Sequence, residues 1–185
     1  YSVIRYLTIF CLCGAFSILS AIAIIGMVFA TAFPKIPEVS KLLDYQPNRY
    51  PFLMIDHVEE VVPGVSAKGY KNLTWNEWYF PVHFPDGPNL PGALQLEAMA
   101  QMLTVAVTTQ EGLKGKVTHA LQHTVRFKLE MIPGMRLDIE TEIISWRRGI
   151  CKGVGKILVD GEVGCTADML ITIPDILEEY LPKDN

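Results

Sequence analysis

Apolar and polar positions are distributed unevenly along the chain. The 28 residues from Tyr6 to Phe33 contain no Asp, Glu, Lys, Arg or His, more than the ~20 apolar residues that cross a hydrocarbon layer. Arg5 precedes the run and Lys35 follows it. Residues 1–34 are therefore expected to form an apolar helix retained as a single membrane span. Two other accounts compete. Ala30-Thr31-Ala32 has the small-x-small form of a secretion-signal cleavage site, but the apolar stretch is longer than an ordinary signal core. A buried helix of a globular domain usually keeps a polar stripe, which this run lacks. Arg5 against Lys35 and Lys41 tilts the remainder toward the cytoplasm, or toward the interior of an organelle. Without a span, the chain would be a soluble cytoplasmic protein.

Beyond Pro34 the pattern changes to mixed polar and apolar positions with frequent Gly and Pro, the mark of a soluble domain over residues 35–185. Val39 to Leu43 suit a short helix. Thr74-Trp75-Asn76-Glu77 has the Ser/Thr-x-x-Glu form of a capping box, which predicts a short helix carrying Trp78 and Tyr79. Pro91-Gly92 opens one long helix, Ala93 to about Thr109, with Leu96, Met99, Leu103 and Ala106 recurring at spacings of three and four. Ala98, Met99, Ala100 and Met102 make it apolar on several sides, so it should be wrapped by other elements. Leu137, Ile139, Thr141 and Ile143 alternate with Arg136, Asp138, Glu140 and Glu142, the period of a half-buried strand. Asp160-Gly161 marks a hairpin turn between Gly155–Val159 and Glu162–Ile173. One buried helix followed by several antiparallel strands is an α+β architecture, a sheet curled about a helix.

At 185 residues the chain holds one domain of ordinary size plus an appendage. A formal net charge of -4 gives no basic field of the kind phosphate backbones select, so nucleic acid is not an expected partner. The four cysteines, Cys11, Cys13, Cys151 and Cys165, have no metal-knuckle spacing. They read as small buried hydrophobes in a reducing compartment, and neither a metal nor a cofactor is called for.

The chemistry concentrates between residues 83 and 97. His83-Phe84-Pro85-Asp86-Gly87-Pro88 is stiffened by two prolines and a glycine, and would hold His83 against the helix start. A lone His beside Phe and Pro is more often a packed residue than a catalyst. Glu97 stands between Leu96 and Ala98 on a helix expected to be buried. An unpaired carboxylate is costly there, and burial would favour the protonated form that a general acid needs.

Asn48-Arg49-Tyr50-Pro51-Phe52-Leu53-Met54-Ile55-Asp56, Asn76-Glu77, His83-Phe84-Pro85, Pro91-Gly92 and Glu97-Ala98-Met99-Ala100-Gln101 resemble, in order and spacing, the signatures of the FabZ-type 3-hydroxyacyl-acyl carrier protein dehydratases. The resemblance continues through Arg126-Phe127-Lys128, Pro133-Gly134, Arg147-Arg148-Gly149 and Val159-Asp160-Gly161. It implies a hotdog fold, in which a long central helix is wrapped by a curled antiparallel sheet. It also implies a catalytic pair at His83 and Glu97, each site combining the His of one subunit with the Glu of the other in a homodimer or a trimer of such dimers. The substrate would be an acyl chain on the phosphopantetheine of acyl carrier protein.

On this reading His83 is the base and Glu97 the proton donor, directly or through a water. The Gly92 amide at the helix start faces the thioester oxygen, where unpaired N–H groups and the helix dipole favour negative charge. Phe84, Leu96, Met99 and Leu103 would line an acyl tunnel, and Arg147, Arg148 and Lys152 would form a basic rim for the acidic carrier. The chain departs from the family pattern at Pro81-Val82, where Gln-Gly is usual, at Trp78 for Pro, and at Leu129-Glu130 for Arg-Pro. The first two flank the catalytic loop, and the third weakens a basic strand. Two other functional classes stay open: an acyl thioesterase or dehydratase/isomerase of the same fold, and a non-catalytic hotdog subunit of a membrane complex.

Overall fold

The computed structural model describes residues 39–182. The apolar run at residues 6–33, with the span expected there and Cys11 and Cys13, lies outside the described residues. No helix among the described residues is long and apolar enough to cross a membrane.

A short helix α1 (Val39–Leu42) leads to strands β1 (His57–Val62) and β2 (Ser66–Asn72). The long helix α2 (Gly92–Thr108) follows, then β3 (His119–Phe127), β4 (Arg136–Arg147), β5 (Ile150–Val159) and β6 (Glu162–Thr172). A last helical turn α3 (Pro174–Leu177) runs into a 3-10 turn at Glu178–Tyr180. The six strands form one sheet in the order β1-β2-β4-β5-β6-β3, with every neighbouring pair antiparallel. Asp160 and Gly161 both have positive φ, 50° and 83°, as a two-residue hairpin turn between β5 and β6 requires.

Helix α2 lies on the inner face of this sheet and is wrapped as its composition demands: Met99, Met102, Leu103, Val105, Ala106 and Val107 are all fully buried. Close approach is secured by glycines on the strands. A Cβ at Gly69 would stand 2.8 Å from Met102 Cε, one at Gly153 2.6 Å from Leu103 Cδ1, and one at Gly155 3.1 Å from Met99 Cβ. From β4, Leu137, Ile139 and Thr141 point into the core, as their alternation predicts. Cys151 and Cys165 are buried free thiols; burial pushes them up to about 12 and about 11 respectively.

Two expectations are corrected. Strands β1 and β2 precede the long helix, so the sheet does not lie wholly after it. The capping-box segment forms no helix: residues 74–82 are a chain of turns closed by bonds such as Phe80 N–H to Glu77 O and Val82 N–H to Tyr79 O. Pro81 disfavours helical geometry at Phe80, and the Glu77 carboxylate is engaged by Lys71 instead of capping the segment.

Candidate active site

The loop that carries His83 is anchored at both ends before the histidine is reached. Tyr79 and Phe80 are buried plugs in edge-on contact, with ring centroids 4.7 Å apart. Beneath them the Lys71 ammonium, 9% exposed, contacts Glu77 Oε1 at 2.5 Å and Asp56 Oδ1 at 3.1 Å. Desolvation, with the Glu77 and Asp56 charges adding to it, pushes the Tyr79 hydroxyl above its ordinary pKa. On the far side, Leu90 N–H donates to Met131 O at 2.7 Å. Between these anchors Phe84 and Gly87 exchange backbone hydrogen bonds, and Asn89 N–H donates to His83 O at 2.9 Å.

His83 is half-buried, and its ring stacks on exposed Phe84 at 4.3 Å. Its Nδ1 lies 3.1 Å from Asn89 O. A carbonyl can only accept, so Nδ1 carries the hydrogen and, in the neutral ring, Nε2 keeps its lone pair. That is the tautomer a proton-abstracting base requires.

Glu97 sits on the second turn of α2, on the wall of a cleft of about 290 Å³. Ala93, Leu96, Ala100, Gln101 and Thr104 of the same helix line it, as do Gln46, Asn48, Thr118, Ala120, His123 and Ile171. The carboxyl group is half-buried and hydrogen-bonded. Oε1 accepts from Asn48 Nδ2 at 3.2 Å and from Gln101 Nε2 at 2.8 Å. Gln101 is itself fixed: its Nε2 donates to Phe52 O at 2.7 Å, and its Oε1 accepts from Met54 N–H at 2.8 Å. With both amides on Oε1, a proton on the carboxyl group is directed to Oε2.

Gly92 is the first residue of α2, where no intrahelical acceptor exists for its N–H. A Cβ there would stand 2.7 Å from Phe127 Cζ, so glycine lets β3 close over the helix start. The expected tunnel residues divide. Leu96 lines the cleft, Phe84 is exposed on the loop, and Met99 and Leu103 lie in the core against β5. Met99 and Leu103 fall on the stripe of α2 turned to the sheet, whereas Ala93, Leu96, Glu97, Ala100 and Thr104 follow the neighbouring stripe. Arg147, Arg148 and Lys152 are exposed around a groove with Ser145, Leu177 and Tyr180. The Arg148 guanidinium stands 5.7 Å from the Tyr180 ring.

Within one chain the structure does not bring His83 to Glu97. No hydrogen bond joins them, and His83 is absent from the cleft wall. Three residues on or beside the carboxyl group were given no role from sequence. Asn48 and Gln101 fall inside the signature segments, which was the available signal. His123 lies in a strand whose pattern gave none.

A family model described as the FabA-like domain matches residues 46–168. The 3-hydroxyacyl-[acyl-carrier-protein] dehydratase FabZ of Caldicellulosiruptor bescii is 46% identical over 137 residues, covering 74% of this chain and 98% of the relative. The FabZ protein of Bacillus licheniformis is 42% identical over 137 residues, covering 74% and 95%. Among solved structures, a chain of the dehydratase heterocomplex ApeI:P from Xenorhabdus doucetiae superposes with a TM-score of 0.60 at 20% identity, covering 77% of this chain and 97% of that one. The last similarity speaks for the hotdog fold alone.

Proposed function

The chain belongs to the family of FabZ-type 3-hydroxyacyl-[acyl-carrier-protein] dehydratases, and from that premise we propose that it removes water from (3R)-3-hydroxyacyl thioesters on acyl carrier protein to give trans-2-enoyl products. The observation that carries the mechanism is the bond between His83 Nδ1 and the Asn89 carbonyl, which leaves Nε2 free to accept a proton. Nε2 takes the proton from the carbon next to the thioester carbonyl. Negative charge gathering on the thioester oxygen faces the free Gly92 N–H at the start of α2. The carbon–oxygen bond at the next carbon breaks as Glu97 delivers its Oε2 proton to the departing hydroxyl, and water leaves. Asn48 and Gln101 hold the carboxyl group during that transfer.

Because His83 and Glu97 do not meet within one chain, the site is completed in a homodimer, with His83 of one subunit approaching Glu97 of the other. Strand β3 supports this assembly. It is the free edge of the sheet next to the cleft, and Leu121 and Phe127 on it are more than half exposed. The carrier protein docks on Arg147, Arg148 and Lys152. Their hairpin lies at the cleft end of the sheet: Ile150 pairs with Thr172, which pairs with His119, one residue before Ala120 in the cleft wall. The apolar residues 1–34 tether the hotdog domain of residues 35–185 to a membrane, a reading supported by the uncharged run from Tyr6 to Phe33.

The test is a spectrophotometric assay in the hydration direction with crotonyl and longer enoyl thioesters. His83→Ala and Glu97→Gln should each lower turnover by about 10²–10⁴ with the fold intact. Wild-type turnover in either variant removes that residue from the mechanism, and release of free thiol without hydration would indicate a thioesterase. For the tether, carbonate extraction should leave the full chain in the membrane pellet; extraction into the supernatant would defeat it.

A further inference from the structure

Across the cleft from helix α2, strand β3 presents His123, a histidine to which the mechanism above gives no task. Its ring lines the same cleft as Glu97. Its Nδ1 is buried without a hydrogen-bond partner among the described residues, which is costly for a polar atom unless some role maintains it. The other polar groups facing the cleft are uncharged: Gln46 and Asn48 from the loop, Gln101 and Thr104 from α2, and Thr118 before β3. From β6, its strand partner Met169 and the cleft residue Ile171 are apolar. His119 and Arg126 on its own strand are exposed.

We propose that His123 is a positioning residue for Glu97: its imidazole closes the strand side of the cleft and governs whether the carboxyl group holds the proton it must donate. The proposal rests on the dehydratase reading and adds to it a control over its acid. Burial disfavours the charged imidazole and pulls His123 below its usual 6.5, while the Glu97 charge pulls the other way. A neutral His123 places no positive charge beside Glu97, so the carboxyl group is free to carry its proton. A protonated His123 pairs with Glu97, holds it as carboxylate and removes the acid. Protonation of His123 therefore silences dehydration at the acid end of the pH profile.

The chain has four histidines, His57, His83, His119 and His123, few enough to assign by single substitution in the full-length protein labelled with 15N-histidine. NMR titration should place the His123 midpoint below 6.5 and move it lower still in Glu97→Gln, where the attracting charge is gone. A midpoint at or above 6.5, or one unmoved by Glu97→Gln, overturns the proposal. In the dehydration direction, assayed with a 3-hydroxyacyl thioester, the acid limb of kcat against pH should follow the His123 midpoint in the wild type. His123→Asn should move that limb and lower kcat about tenfold with little change in KM. An acid limb unchanged in His123→Asn also overturns it. If that variant fails to fold, the Glu97→Gln titration still decides. A wild type that hydrates no thioester, yet shows the His123 response, would sink the dehydratase reading while supporting the coupling.

Discussion

Replacing Lys71 by Met tests whether the ion cluster under the catalytic loop holds that loop in place. The ammonium has three acceptors, Glu77 Oε1, Asp56 Oδ1 and Asn72 O. The partners differ in exposure, Glu77 at 14% and Asp56 at 35%. Asp56 also keeps a bond from Asn72 N–H at 2.7 Å and some water, so its loss is screened and small. Glu77 is left as a buried carboxylate without its cation, and orphaning one member of a buried pair costs about 3–5 kcal/mol. Taking about 3 kcal/mol and a urea slope of about 2 kcal/mol per M, the unfolding midpoint should fall by about 1.5 M. The comparison is made at one protein concentration, because assembly adds to apparent stability. Lys71→Met with Glu77→Gln should recover about 2 kcal/mol, since the uncompensated charge is then gone. Activity should fall in Lys71→Met more through kcat than KM, because the turn after Glu77 carries His83. A midpoint within about 0.3 M of wild type, or no recovery in the double variant, would refute the tether.

Gly92→Ala should leave stability within about 1 kcal/mol, because the exposed Phe127 ring that its Cβ meets can swing aside. Its kcat should nonetheless fall about tenfold, as the added methyl group crowds the approach of the thioester oxygen to the amide donor; the paired readouts are thermal melting and hydration rate. Leu121→Lys, on the free edge of β3, should convert the dimer to monomer in light scattering and abolish activity together with assembly. Cys151 and Cys165 should resist alkylation at pH 8 in the folded protein and react in urea, as mapped by peptide mass. Their folded pKa values, about 12 and about 11, exceed the ordinary 9.0, so the stability they contribute is whole below pH 9 and is lost as pH rises toward 12. A urea midpoint that rises through that window would contradict the sign.

The long helix, the β4 alternation and the Asp160-Gly161 turn were legible because each carries its own local period or turn chemistry. Strands β1 and β2 were not, for a reason visible in what they bury. The inward positions of β2 are Ala67, Gly69 and Lys71. Gly69 is needed because β1 and Met102 leave no room for a Cβ, and Lys71 is inside because two carboxylates pair with it. In β1 a register shift between Val58 and Glu60 breaks the alternation, so Val58 and Val61 face inward at a spacing of three. Tertiary packing and ion pairing decide these strands, and neither writes a period into sequence.

The candidate site divides along the same physical line. His83, Gly92 and Glu97 fall within fifteen residues, on one loop and the helix it opens, so a linear pattern can hold them together. The groups that set the state of Glu97 arrive from elsewhere: Asn48 from the loop after α1, and His123 from the far edge of the sheet. His123 reaches the cleft only because β3 pairs with β6 rather than with β4, its successor in sequence, at the register His123 opposite Met169. A one-residue slip would turn its ring to the opposite face of the sheet and an exposed neighbour into the cleft. The pairing register of an edge strand thus fixes which histidine stands beside the acid, and that register is written across two strands some forty residues apart rather than in either one.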